Sequence, residues 1–228
     1  MHSLKSFVHI TLSAALIMLC VSCGVSGGGG GGGASPTSSH SPAADDPTQN
    51  YFSFQTEAAA NYAEYGNGYK GVAVYYKIYT SAANITNHYS TIAAETTGIG
   101  GKNKLESDSL GYKLLNGAEY IIPFSQTNQS VEIRLFDETA YTKGIKVDGT
   151  VLTSPPTRSV SGKTFQFSST EYPRTGEGDF NGTETSTGPW YVAAYAVSVS
   201  QAISTTTNTT TVTEYSKPKY LGYIKIYY

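Results

Sequence analysis

Apolar residues recur at every second position in several short stretches of this chain. Valine, tyrosine and isoleucine take alternate positions in Val72–Tyr79, and tyrosine, alanine and valine do so in Tyr191–Val199. Shorter runs of the same kind start at Val131, Phe165 and Ile224. Successive side chains of a β-strand point to opposite sides, so this period of two predicts strands with one face in a core.

One segment departs from this period. Asn84–Thr96 places Ile85, Tyr89 and Ile92 at helical spacing, and Asn84 can cap the helix N-terminus. Turn-forming pairs such as Asn116-Gly117 separate the other elements. Seven or eight short strands with one short helical crossover predict a mostly all-β fold, a two-sheet antiparallel β-sandwich.

The segment Pro189–Val197 carries a Tyr-x-Val-x-Ala type pattern in front of a short last strand at Tyr220–Tyr228. This resembles the penultimate strand of fibronectin type III and related immunoglobulin-like sandwiches. The resemblance implies an architecture and no functional residues. An alternative stays open, because Ile224-x-Ile226-x-Tyr228 also resembles the closing strand of a small outer-membrane β-barrel, although such strands need about 9–11 residues.

The N-terminus has the layout of an export signal, with Lys5 ahead of the apolar stretch Phe7–Leu19. The end of this signal, Val21-Ser22-Cys23, resembles the lipobox of bacterial lipoproteins. That resemblance implies cleavage before Cys23 and a diacylglycerol, with acyl chains such as palmitate, on its sulfur. Cys20 departs from the family pattern, which has leucine at that position.

The lipobox divides the chain into three parts. Residues 1–22 would be the signal peptide, and residues 23–50 the lipidated cysteine followed by a Gly/Ser/Pro tether. The tether has almost nothing apolar to bury, so we expect it to be disordered. Residues 51–228 would be a single β-sandwich domain. Two or more acyl chains anchor a protein stably, which predicts a location in the cell envelope, at the outer membrane or cell surface.

Composition excludes several classes of function. Charged residues make up 14% of the chain, against about 25% in typical domains, and the net charge of −2 argues against nucleic-acid binding. After removal of the signal and tether, the domain keeps His88 as its one histidine and has no cysteine. We therefore expect no disulfide, no Cys/His metal site, no cofactor and no enzymatic activity.

Two local patterns are similar to parts of known ligand-binding loops. Gly98–Lys102 is similar to part of a phosphate loop but lacks the required spacing, which favours a plain loop. Asp179–Glu184 places oxygen ligands at alternate positions around Gly182, as calcium loops do, and leaves calcium binding open beside a surface hairpin. The two carboxylates that glycoside hydrolysis requires could come from any of four acidic residues, and nothing in the sequence singles out two of them. The four residues are Glu132, Asp137, Glu138 and Glu171.

A Tyr-x-Lys-x-Tyr pattern occurs twice, in the first long strand and at the C-terminus. In each strand the intervening apolar residues would face the core, so the tyrosines and lysines would face outward. Tyrosine offers a flat amphipathic ring on which a sugar or a protein partner can stack. We expect an exposed binding surface there. Its residues are Tyr75, Lys77, Tyr79, Tyr223, Lys225 and Tyr227.

Three functional classes follow from these observations. The favoured class is a non-enzymatic, lipid-anchored envelope protein that binds or assembles with a partner, held to the membrane through Cys23. The second is a module that binds carbohydrate or peptidoglycan, which the abundant tyrosine and Trp190 favour. The third, a hydrolase, is disfavoured by the shortage of histidine and the lack of cysteine in the domain.

Overall fold

The computed structural model describes residues 34–43, 45–57, 68–123, 127–152, 154–160, 162–203 and 211–228. Within these ranges two β-sheets pack face to face, and two helices cover the outer side of the larger sheet. The predicted all-β sandwich is thereby confirmed. In chain order the elements are β1 (Phe52–Gln55), β2 (Tyr69–Tyr79), α1 (Ala82–Ala93), α2 (Gly98–Glu106), β3 (Lys113–Leu114), β4 (Ile122–Pro123), β5 (Ser130–Arg134), β6 (Gly144–Val147), β7 (Thr150–Val151), β8 (Phe180–Asn181), β9 (Trp190–Ile203), β10 (Thr211–Tyr215) and β11 (Lys219–Ile226).

The larger sheet is organised around the long antiparallel pair β2 and β9. β10 and β11 both pair with β9 on its far side, while β3 and β4 pair with the other edge of β2. β8 runs parallel to the end of β2, alongside Ile78 and Tyr79. The smaller sheet has the order β1-β5-β6-β7 and is antiparallel throughout.

The main core lies between the two sheets. The larger sheet supplies alternate residues of β2, β9 and β11, and the smaller sheet supplies alternate residues of β1, β5 and β6. Full burial of one such side chain contributes about 1.5–3 kcal/mol to folding. Phe165 and Phe167 also enter this core, although the segment that carries them forms no strand. The alternation at these two phenylalanines therefore predicted burial correctly and a strand wrongly.

A second core lies on the outer side of the larger sheet, beneath the helices. Ile85 and Ile92 of α1 and Leu105 of α2 are buried against outward-facing residues of β2 and β9. The predicted helix is confirmed as α1, which begins after Ser81 rather than at Asn84. α2 corrects the predicted loop at Gly98–Lys102, and the side chain of Thr97 caps it by accepting a hydrogen bond from Gly100 N at 3.1 Å.

The folded unit begins before the predicted boundary at Tyr51. Residues 34–43 and 45–50, which we call the N-terminal strap, pack along the domain. Thr37 forms an antiparallel bridge with Gln55, and the buried Asn50 side chain bonds to the backbone of Lys225 through both its nitrogen, at 2.9 Å, and its oxygen, at 3.2 Å. The prediction of disorder as far as Asn50 is thus wrong for the strap, which is held by these hydrogen bonds and by the buried Pro36.

The proposed lipidation site, Cys23, and the signal peptide lie outside the described residues. Neither helix in the described ranges combines the length and the apolar character that a crossing of the bilayer requires.

Candidate functional site

Tyrosines crowd the outer face of the larger sheet. Directly paired residues of neighbouring strands point to the same side, so the registers of β2, β9 and β11 define rows that cross this face. Two of the rows carry a tyrosine on β9, and the third carries alanine there. The rows are Tyr75–Tyr195–Tyr220, Lys77–Ala193–Tyr223 and Tyr79–Tyr191–Lys225.

The predicted exposure of Tyr75, Lys77 and Tyr79 is wrong. These residues do point away from the sandwich core, as the alternation predicted, but the helices and the segment Leu110–Tyr112 cover that half of the face. All three side chains are buried. Alternation along a strand identifies a shared face and carries no information on what packs over it.

The buried tyrosines are joined by their hydroxyl groups. The hydroxyl of Tyr79 lies 2.7 Å from Nδ1 of His88 and 2.9 Å from the hydroxyl of Tyr112. Tyr75 donates to Glu106 of α2 at 2.8 Å. Burial raises the pKa of Tyr75, Tyr79 and Tyr112 above the ordinary value, so these groups hold their protons and act as neutral hydrogen-bonding groups.

The predicted residues at the C-terminus are more accessible, but they do not form one surface. Tyr223 and Lys225 are half-buried, and Tyr227 is 51% exposed. Lys225 Nζ lies 3.3 Å from Asp45 Oδ1 of the strap and 4.4 Å from the centre of the Tyr227 ring. Tyr227 also bonds to Asp45 through its hydroxyl. Lys225 and Tyr227 therefore hold the strap, and of this C-terminal trio only Tyr223 packs within the tyrosine face.

The open part of the tyrosine face forms a groove between α1 and the start of β11. Its volume is about 360 Å³. Tyr89 and Tyr220 form its aromatic wall, with ring centres 5.0 Å apart and planes inclined by 48°. The remaining wall combines apolar side chains with one lysine. The lining residues are Tyr89, Ile92, Ala93, Tyr195, Pro218, Lys219 and Tyr220, and we call this site the tyrosine groove.

Aromatic contacts continue on both sides of the tyrosine groove. Tyr195 lies beneath it, with its ring centre 5.0 Å from that of Tyr220. Further along the sheet, Tyr191 and Tyr223 meet edge to face at 5.7 Å. Burial, followed by the neighbouring Tyr223 and Tyr89, raises the pKa of Tyr220, so its hydroxyl stays protonated and can donate a hydrogen bond to a ligand.

Two other cavities in the described part of the chain have fewer aromatic side chains on which a ring-shaped ligand could stack. One, of about 350 Å³, lies beside β4 and has Tyr120 as its only aromatic side chain. The other, of about 250 Å³, separates the strap from β1 and is lined mainly by serine and threonine.

The segment Asp179–Glu184 does not present the oxygen ligands that a calcium loop needs. Both carboxylate oxygens of Asp179 bond to Arg158, and Glu184 pairs with Arg174 at 2.7 Å. No cluster of three or more metal-ligating side chains occurs among the residues that the structure describes.

Sequence reasoning missed the groove because its walls come from separate elements. Tyr89 lies on α1, Tyr195 on β9 and Tyr220 on β11. Their helical and strand periods were visible in the sequence, but only the pairing of β9 with β11 and the packing of α1 bring them together.

Comparison with known proteins identifies no relative of this chain. The sequence matches no family model, and searches of the curated proteins and of the solved structures return no significant match.

Proposed function

We propose that this chain is a lipid-anchored, non-enzymatic protein of the cell envelope that binds a carbohydrate in the tyrosine groove. The anchor would be a lipid on Cys23, as the lipobox-like end of the signal implies. The observation that carries the binding role is the aromatic wall of Tyr89 and Tyr220.

The dimensions and chemistry of the groove favour a sugar over a broad protein surface. Its volume of about 360 Å³ is near the lower end of the range of about 300–1,000 Å³ for small-ligand pockets. The faces of Tyr89 and Tyr220 can stack on the apolar side of a sugar ring, while Lys219 and the tyrosine hydroxyls can bond to its hydroxyl groups.

The state of the carboxylates supports a role without catalysis. Glu132 pairs with Arg134 at 2.9 Å, and Asp137 pairs with Lys143 at 2.9 Å. A glycosidase needs two carboxyl groups that face one cleft, one of them held as an acid. Among the residues that the structure describes, no aspartate or glutamate lines the tyrosine groove.

Binding to a glycan array and to soluble peptidoglycan fragments tests this proposal, with the full chain kept in detergent. Hits are followed by calorimetry on Tyr89→Ala and Tyr220→Ala. Tyr120→Ala is the matched control, because Tyr120 is 40% exposed and Tyr89 is 43% exposed, but Tyr120 lies outside the groove.

The expected result is binding to at least one glycan, weakened tenfold or more by Tyr89→Ala and unchanged by Tyr120→Ala. Stacking of one ring on one aromatic side chain accounts for a loss of this size, since tenfold is about 1.4 kcal/mol. An array without hits would contradict the proposal, as would equal losses in the Tyr89 and Tyr120 variants.

A further inference from the structure

The last strand, β11, contains a β-bulge between Tyr220 and Tyr223. From one tyrosine to the other, the register passes two residues of β11 and one residue of β9. Gly222 lies in this bulge with a φ of 91°, a conformation that favours glycine. A Cβ atom added to Gly222 would lie 2.6 Å from Cδ of Pro42, so a larger residue would also displace the strap. Glycine therefore fixes the bulge at this position.

The bulge determines the face on which Tyr223 lies. Residues three apart in a regular strand point to opposite sides of the sheet. In β11 the extra residue turns Tyr223 onto the outer face, together with Tyr220, while Leu221 and Ile224 both enter the core between the sheets. Bulges of this kind re-aim a side chain and are frequent beside binding sites. Here the bulge brings a second tyrosine of β11 to the side of the tyrosine groove.

Tyr223 forms an aromatic pair with Tyr191 of β9, which we call the distal pair. The two ring centres lie 5.7 Å apart with the planes inclined by 76°. Both side chains are half-buried, so each keeps part of its surface open to solvent. The distal pair thus offers a further aromatic surface on which a ring-shaped ligand can stack.

The distal pair and the tyrosine groove are aligned along the strands. Tyr195, beneath the groove, is two residues of β9 away from Ala193, the partner of Tyr223, and four residues away from Tyr191. At about 3.4 Å per residue, the distal pair lies roughly 7–14 Å along the sheet from Tyr195. One sugar ring cannot cover both sites, whereas a short chain of linked rings can. Chains with β-1,4 linkages are extended and expose apolar ring faces, which suits two aromatic sites along a strand.

We propose that the tyrosine groove and the distal pair together bind an extended β-1,4-linked oligosaccharide, which runs along β11. One ring stacks on Tyr89 and Tyr220 in the groove, and a later ring of the same chain stacks on the distal pair. This inference rests on the proposed glycan binding and adds the length and linkage class of the glycan. Gly222 is a positioning residue, because it acts through Tyr223.

Ligand-observed nuclear magnetic resonance titration tests the second site, with the full chain kept in detergent. The probes are cello-oligosaccharides and chito-oligosaccharides of one, two and four rings. In at least one series the four-ring oligomer is expected to bind tenfold or more tightly than the single ring. Tyr223→Ala should remove most of this gain and leave single-ring binding unchanged, whereas Tyr89→Ala should weaken binding at every length.

Two further variants control for misfolding and for the general loss of a tyrosine. Tyr223→Leu keeps an apolar side chain in the sheet, so it should show the same length-dependent loss while its near-ultraviolet circular dichroism spectrum stays native. Tyr120→Ala removes a tyrosine that is 40% exposed and lies outside both sites, and it should bind every oligomer as the wild type does.

The outcomes separate this inference from the glycan function itself. Equal affinities for one ring and four rings, or equal losses at both lengths in Tyr223→Leu, would overturn the second site and leave the groove as a glycan site. Binding of no oligomer in either series would also overturn the inference, and the glycan array would then decide the proposed function independently.

Discussion

The guanidinium group of Arg158 bonds to both carboxylate oxygens of Asp179, with Nε 2.8 Å from Oδ2 and Nη2 2.6 Å from Oδ1. Both side chains are fully buried, and the hydroxyl of Tyr76 donates to the same carboxylate at 2.7 Å. Glu177 makes a further ion pair with Arg158. The pair joins the loop that carries Arg158 to the residue before β8, and Tyr76 links this carboxylate to β2.

Replacing Arg158 with methionine should lower the free energy of unfolding by about 3–5 kcal/mol, because it leaves the Asp179 carboxylate buried without its partner. Urea denaturation followed by tyrosine fluorescence measures the loss. Arg174→Met is the control, since Arg174 and Glu184 form an exposed pair that solvent screens, so its loss should be much smaller. Equal losses in the two variants would show that burial does not strengthen the inner pair.

Asn50→Ala should reduce stability by about 1–3 kcal/mol, because it leaves the backbone of Lys225 without its two bonds to the strap. Thermal unfolding measures the change. Gln49→Ala is the neighbouring control, since the Gln49 side chain is exposed and makes one long bond, of 3.4 Å, to Thr48. A melting temperature for Asn50→Ala equal to that of Gln49→Ala would contradict the packed strap.

Stability should rise with pH between 7.5 and 9. The pKa of Lys77 is lowered from 10.5 to about 8, so in this range the unfolded chain keeps a proton that the folded chain releases. The free energy of unfolding should therefore increase by about 1 kcal/mol. Above pH 9 the rise should end, because burial raises the pKa of several tyrosines and the unfolded chain then loses protons that the folded chain keeps. The groups that face Lys77 leave this sign unchanged, because the Asp179 carboxylate is paired with Arg158 and the lowered pKa of His88 places its titration below the range.

Lys77→Met should remove this rise and should itself be more stable than the wild type at pH 7, because burial disfavours the charged form of Lys77 in the folded chain. Urea denaturation at the two pH values measures both effects. A rise of the same size in Lys77→Met would assign the pH dependence to another group.

Cys23→Ala should release the protein from the membrane fraction or leave it unprocessed, because it removes the sulfur that would carry the lipid. Cys20→Ala should stay membrane-bound and serves as the control. Fractionation with detergent, together with the mass of the mature chain, measures the outcome. A Cys23→Ala protein that partitions fully into detergent at an unchanged mass would contradict the lipid anchor.

Period-two alternation predicted the long strands of both sheets and part of the core between them, but not β1 with Phe52 and Phe54. Val131 and Ile133 of β5 and Ile224 and Ile226 of β11 all enter the core as expected. These positions were predictable because a polar residue stands between each apolar pair, so each strand has one apolar face.

The same argument failed where both faces of a strand are buried. In β2 the core face carries Val74 and Tyr76, while the other face carries Tyr75 and Lys77, which resemble surface residues in composition. Tyr75 is covered by α2, to which its hydroxyl bonds at Glu106, and Lys77 lies beside Gly111 of the segment that follows α2. The sequence did not predict α2, because Gly98, Gly100 and Gly101 disfavour a helix. Tertiary packing and the Thr97 cap stabilise that helix despite its composition.

The N-terminal strap enters the fold beside the tyrosine groove. The Ser35 hydroxyl bonds to the carbonyl of Lys217 at 2.7 Å, and the next residue, Pro218, lines the groove. With the proposed lipid on Cys23, the residues from Cys23 to Ala34 span at most roughly 40 Å. A ligand of the groove would then have to lie within a few nanometres of the bilayer, which favours the innermost layer of an envelope polymer over material shed into the medium.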